Sequence, residues 1–291
     1  METNELIKKV RKLEIKTRGL SKQIFSGEYQ SAFKGRGMAF SEVREYQPGD
    51  EIRTIDWNVT ARTKTPYIKV FEEERELILM LIIDISGSEN FGTKESQKRE
   101  VITELSAVLA FSAIQNNDKI GLILFSNKVE KYIPPKKGKS HVLRIIRELI
   151  EFKPENKGTN ISEALKYFNN VTKKRSIAFV ISDFIDSGFD DSLKIASKKH
   201  DTIAVQIYDE AETKIPDIGL VKIKNPETNE TVLFDTSSSR NRKVYSDWWE
   251  NKLTEISNTF KKSKVDFINI RTDESYIVPM QRFFKKREAK R

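Results

Sequence analysis

Four aliphatic runs constrain what this chain can fold into. They are LILMLII at 77–83, KIGLILF at 119–125, SIAFVIS at 176–182 and DTIAVQIY at 201–208. None alternates strictly between apolar and polar, which is the pattern of strands buried on both faces. The stretches between them change period. In 95–116, Val101, Leu105, Val108, Leu109 and Ile114 recur at helical spacing, and 140–152, 160–173 and 189–200 read as amphipathic helices. Buried strands alternating with amphipathic helices predict an α/β fold with a doubly wound, mostly parallel sheet.

The remaining segments are shorter. VEKYIPP at 129–135 predicts a strand stopped by Pro134 and Pro135. Residues 219–236 predict a hairpin around 225–229, 241–262 a helix, 266–272 an edge-type strand, and 276–291 a basic terminal helix. Trp248 and Trp249 are neighbours on one helix, so one is expected in the core and the other outside. Residues 2–25 have helical spacing. Residues 26–75 are rich in Gly, aromatic and β-branched residues and predict β-hairpin material, with a helical turn near 50–57 and Trp57 in the core. The expected organisation is an accessory segment at 1–75 forming a small β-rich unit, the α/β domain at 76–272, and a C-terminal helix or tail at 273–291. His141 and His200 sit at helix ends among lysines and predict solvated or capping roles.

The chain has no cysteine, which excludes disulfides, thiol nucleophiles and Cys-ligated zinc. No apolar run approaches the ~18 residues of a membrane span, and the first residues lack the apolar core of a signal peptide. The expected location is the cytoplasm. Net charge is +9, and all of it resides at the two ends. Residues 1–26 carry seven Lys/Arg against three Glu, and residues 279–291 carry six against one. The body is neutral.

In an open α/β sheet, ligands bind beyond the carboxyl ends of the strands. The first buried strand ends in Asp84, followed by Ser86 and Ser88; the third ends in Ser182 and Asp183; Thr159 precedes a helix. Carboxylates and hydroxyls are hard oxygen ligands suited to Mg²⁺, Mn²⁺ or Ca²⁺. Neutral hydroxyls leave such an ion short of negative charge, so it would accept a carboxylate from a partner. No GxSxG, P-loop or HExxH motif is present.

Asp84-x-Ser86-x-Ser88, Thr159 and Asp183 resemble the metal-ion-dependent adhesion site of von Willebrand factor A domains. The stretch 36–57, with Arg44, Asp50, Arg53, Asp56 and Trp57, resembles the signature of the bacterial family named domain of unknown function 58. That resemblance implies a von Willebrand A-like domain, a divalent metal held by Asp84, Ser86, Ser88, Thr159 and Asp183, and a MoxR-type AAA+ ATPase as partner. Many relatives carry N-terminal membrane helices, whereas residues 1–75 here hold none. The expected function is that of a non-enzymatic adaptor docking an acidic residue of a protein partner. Arg44, Asp50, Arg53 and Asp56 are expected to form an ion-pair network or part of a partner surface. The alternatives are a Mg²⁺-dependent phosphoryl-transfer enzyme with an aspartyl nucleophile, and a nucleic-acid binder using the basic ends.

Overall fold

The computed structural model describes residues 10–17, 19–21, 38–73, 77–87, 98–156, 158–224 and 231–289. The chain divides into two compact units, 33–77 and the remainder.

The smaller unit pairs β1 (Met38–Glu45) antiparallel with β2 (Tyr67–Glu73), with a register shift between Phe40 and Glu42. Between them lie a 3₁₀ turn at Ile52–Thr54 and a helix, α1 (Trp57–Thr63). The Asp56 side chain accepts from the backbone N–H groups of Asn58 and Val59, an N-cap that starts α1. Lys64, at φ 62°, ends it in the left-handed region. Trp57 stands on the first turn and is 68% exposed, so the expectation of a core tryptophan is corrected.

The larger unit is built on a six-stranded sheet. Its strands are β3 (Ile78–Asp84), β4 (Lys119–Phe125), β5 (Val129–Lys136), β6 (Ile177–Ser182), β7 (Asp201–Tyr208) and β10 (Asp266–Arg271). Their order is β10-β7-β6-β3-β4-β5, parallel except for the β4–β5 pair. The helices are α2 (Lys98–Gln115), α3 (Lys139–Glu151), α4 (Ile161–Val171), α5 (Asp190–Lys199), the short α6 (Glu210–Thr213), α7 (Ser239–Lys262) and α8 (Ile277–Ala289). A separate hairpin, β8 (Leu220–Lys224) with β9 (Thr231–Asp235), is inserted between α6 and α7. Helical residues 10–17 and 19–21 group with this unit. The result is the mixed, mostly parallel sheet flanked by helices of the Rossmann and von Willebrand A type.

The aliphatic runs fill the core. Leu79 to Ile83 are completely buried, as are Leu122 to Phe125 and Ala178 to Ile181. On one sheet face Met80, Ile82, Ile123 and Val180 join Ile161, Leu165 and Phe168 of α4 and Leu193 of α5. Strand β5 continues through Pro134 and Pro135 to Lys136. It is the edge strand, and its pairing with β4 shifts register there, so the missing N–H groups break no continuous ladder. His200 is buried rather than solvated and stands at the C-cap of α5, its backbone N–H donating to the Ala196 carbonyl at 2.8 Å; Ser176 Oγ lies 3.0 Å from its Nδ1, and burial pulls its pKa down to about 4. His141 is half-buried with Nε2 2.9 Å from the Ile120 carbonyl. Trp249 is buried and Trp248 half-exposed, as their adjacency predicts. Among the described residues no helix is long and apolar enough to cross a membrane.

Candidate functional site

The switch point of the sheet lies between β3 and β6. From β3 the chain runs to β4 and β5, then returns to the other side of β3 as β6. Loops diverge here beyond the strands' carboxyl ends. Asp84 is the last residue of β3, and Ser182 the last of β6.

These residues hold one another. Asp84 Oδ2 accepts from Ser182 Oγ at 2.7 Å, and Oδ1 accepts from the Ser86 N–H at 2.9 Å. Ser182 Oγ also accepts from the Phe184 N–H at 3.0 Å. Asp183 Oδ1 accepts from the Ile185 N–H at 3.0 Å, and its carbonyl from Gln206 Nε2 at 2.9 Å. Between these turns Phe184 takes φ 59°, a conformation unfavourable for an aromatic residue. Its fully buried ring packs edge-on against Phe260, 4.9 Å between centroids, which holds it there. The Asn160 N–H donates to the Ser126 carbonyl at 2.8 Å, placing Thr159 beyond the carboxyl end of β4. Asp186 accepts from the Ile161 N–H at 2.9 Å, beside the Asn160 cap of α4.

Asp84 is 1% exposed. Burial pushes its carboxyl up to about 7, and the nearby charge of Asp183 adds to the rise; the bonds from Ser182 and Ser86 oppose it.

The cation at this edge belongs to the protein. Lys98, on the first turn of α2, is completely buried. Its Nζ lies 3.2 Å from Asp183 Oδ2 and 2.6 Å from Glu212 Oε1. Glu212 Oε2 accepts from the Asp209 N–H at 2.9 Å, closing a capping box on α6, and Asp209 Oδ2 accepts from Thr272 Oγ1 at 2.7 Å. Burial raises the Glu212 pKa against the pull of Lys98. One polar seam therefore crosses the ends of β3, β6, β7 and β10.

This overturns the expected Mg²⁺, Mn²⁺ or Ca²⁺ centre. Among the described residues no group of three or more His, Cys, Asp or Glu side chains comes together to hold a metal ion. Asp84, Ser86, Thr159 and Asp183 lie along the carboxyl edge, and Ser88 falls outside the described residues. Both Asp84 oxygens already have donors, and an ammonium group neutralises Asp183.

Residues 42–254 match the family described as Protein of unknown function DUF58. The chain belongs to that family. This DUF58 chain is also 24% identical over 281 residues to uncharacterized protein Rv1480 of Mycobacterium tuberculosis, covering 96% of the chain and 88% of the relative. It is 29% identical over 109 residues to uncharacterized protein YeaD of Bacillus subtilis, 38% of the chain and 25% of YeaD. Among solved structures, conserved hypothetical protein BatB of Bacteroides thetaiotaomicron aligns with TM-score 0.49 at 17% identity, covering 74% of this chain and all of the other. An aerotolerance-related membrane protein of Bacteroides fragilis aligns with TM-score 0.49 at 16% identity, with the same coverage.

In the DUF58 signature region the expected network separates into two parts. Arg44 grips Asp50 through two bonds of 2.8 and 2.7 Å. Asp56 caps α1 and lies 3.5 Å from Lys69. Arg53 is exposed, next to Ile52 at 67% exposure. Sequence reasoning missed Lys98 and Glu212. A signal for Lys98 was present: it shares a helical face with Val101, Ile102 and Leu105, so it had to point into the core. Glu212 gave a weaker one, as the fourth residue of Asp209-x-x-Glu212.

Proposed function

We propose that this DUF58 chain is a non-catalytic adaptor that docks a protein partner at the carboxyl edge of its sheet. The observation carrying this reading is an unusual concentration of exposed apolar side chains between residues 218 and 248. Hairpin β8–β9 and its approaches expose Ile218, Leu220, Ile223, Val232 and Leu233, while Val244 and Trp248 extend the surface along the first turns of α7. In the β8–β9 register Leu220 and Leu233 share one face while Ile223 and Val232 lie on the other, so the hairpin is apolar and exposed on both sides. Exposed apolar groups concentrated in one segment mark interaction surfaces.

Local bonds close the base of that hairpin and tie it to the start of α7. Thr236 Oγ1 donates to the Gly219 carbonyl and accepts from the Ile218 N–H. Arg242 bonds the Thr236 and Ser237 carbonyls and pairs with Asp217 at 3.1 Å. The Tyr245 hydroxyl feels the charges of Glu212 and Lys98. In this reading Asp84, Ser86, Thr159 and Asp183 belong to the polar framework that shapes the edge from within, and the hairpin is the gripping element. On the smaller unit, Arg53 between exposed Ile52 and Trp57 supplies a second contact, with Arg44, Asp50 and Asp56 shaping its support.

A MoxR-type AAA+ ATPase is the partner the family resemblance suggests. Direct binding of the purified full chain to such an ATPase tests the reading. The double variant Leu233→Glu, Trp248→Ala should bind at least about tenfold more weakly while keeping its melting temperature. Unchanged affinity would remove the hairpin from the interface.

A further inference from the structure

The helices that carry the two basic ends are far apart in sequence and are both anchored on one residue. Glu104 of α2 joins them. Its Oε1 receives Lys16 of the N-terminal helix, and its Oε2 receives the Tyr276 hydroxyl, one residue before α8, at 3.4 Å. The N-terminal helix is further tied down by Glu14 to Lys139 at 2.7 Å and by Ser21 to Gln115 at 3.3 Å.

Each helix turns a basic stripe outward. On the first, Arg11, Lys12, Ile15, Lys16 and Gly19 are exposed, while Thr17 and Ser21 are buried. On α8, Val278, Arg282, Lys285 and Lys286 are exposed, with Glu288 on the flank of the same face, while Met280, Phe283 and Phe284 are buried. Both stripes follow i, i+4 spacing, so each is a continuous helical face. Both also carry a bare aliphatic side chain among the charges: Ile15 is 72% exposed and Val278 53%. Among the described residues, Arg11, Lys12, Arg282, Lys285 and Lys286 have no carboxylate partner.

We infer that this paired basic surface binds peripherally to an anionic phospholipid bilayer. Lys and Arg side chains gain from the negative potential of such a surface, and protruding aliphatic groups gain by entering the headgroup boundary. Nucleic acid fits the same charge but not the same side chains. A single strand would stack its bases on aromatic rings and a duplex would contact only the cations through its phosphates, whereas the exposed described groups between these charges are Ile15 and Val278, for which neither has a use.

Vesicle co-sedimentation of the full chain tests the inference. Vesicles of phosphatidylcholine with about 30% phosphatidylserine should bind the chain, pure phosphatidylcholine should not, and ~0.5 M salt should release it. Lys285→Glu with Lys286→Glu should weaken binding at least about 20-fold, and Ile15→Ser several-fold, with circular dichroism confirming the fold. Failure to bind anionic vesicles overturns the inference, as does binding indifferent to both variants. A short DNA duplex is the third arm. Duplex binding lost in Lys285→Glu, Lys286→Glu but unaffected by Ile15→Ser, without vesicle binding, would assign the surface to nucleic acid instead.

Discussion

Lys98 carries a cost that only its partners offset. Burying an ammonium group is expensive, and here Asp183 and Glu212 both meet it. Lys98→Met keeps most of the volume and leaves two buried carboxyls without their cation. The expected loss is about 3–5 kcal/mol in urea unfolding at pH 7. Asp84→Asn should act in the opposite direction. The folded state raises the Asp84 pKa from 3.8 to about 7, so it binds more protons than the unfolded chain between those values. Stability from this group is complete below pH 3.8 and declines as pH rises through 7. Asn keeps the shape and an acceptor for the Ser86 N–H without the charge. The variant should match wild type below pH 4 and exceed it increasingly as pH rises to 8, by on the order of 2–4 kcal/mol. A penalty at pH 8 would mean that the ionised carboxylate is needed at this edge.

At the scale of elements, α1 tests how a single side chain starts a helix. Asp56 was expected in an ion-pair network, yet its Oδ1 accepts from Asn58 and Val59 at 2.9 and 3.2 Å, the bonds of an N-cap. Asp56→Ala should cost about 1 kcal/mol by thermal unfolding, and Asp56→Asn much less, because Asn caps as well as Asp. If the pair with Lys69 mattered more than the cap, Asn and Ala would be equally damaging. This helix was missed because WNVTART, rich in β-branched residues, carries no apolar stripe; only the preceding Asp announced it. The strands and helices of the larger unit were legible because burial imposes a period on every residue of an element. Within the site, Asp84 and Asp183 were legible from their place at strand ends. Their chemistry was not. Whether a carboxylate pair faces a metal or a lysine depends on which side chain arrives from α2, a tertiary fact. Strand β5 adds a related lesson: two prolines end a central strand but not an edge strand, and the edge is a property of the sheet.

At the scale of the whole molecule, the C-terminal helix does two physically separable things. Its inner face packs Met280, Phe283 and Phe284 out of solvent, and Arg287 bridges Asp201 and Asp266 at 2.7 and 3.4 Å, tying α8 to the starts of β7 and β10. On its outer face Arg282, Lys285 and Lys286 are exposed and pair with no carboxylate among the described residues. Burying three such side chains contributes roughly 5–8 kcal/mol, comparable to the entire net stability of a typical domain. A chain ending at Ser275 should therefore lose cooperative unfolding altogether, with β10 and β7 exposed along one face. Charge reversal at Lys285 and Lys286 should leave the unfolding free energy from urea titration within about 0.5 kcal/mol of wild type, because exposed charges distant from partners contribute little. The two variants remove similar amounts of positive charge. If both unfolded the protein, the basic stripe would have to be part of the packing rather than a surface laid over it.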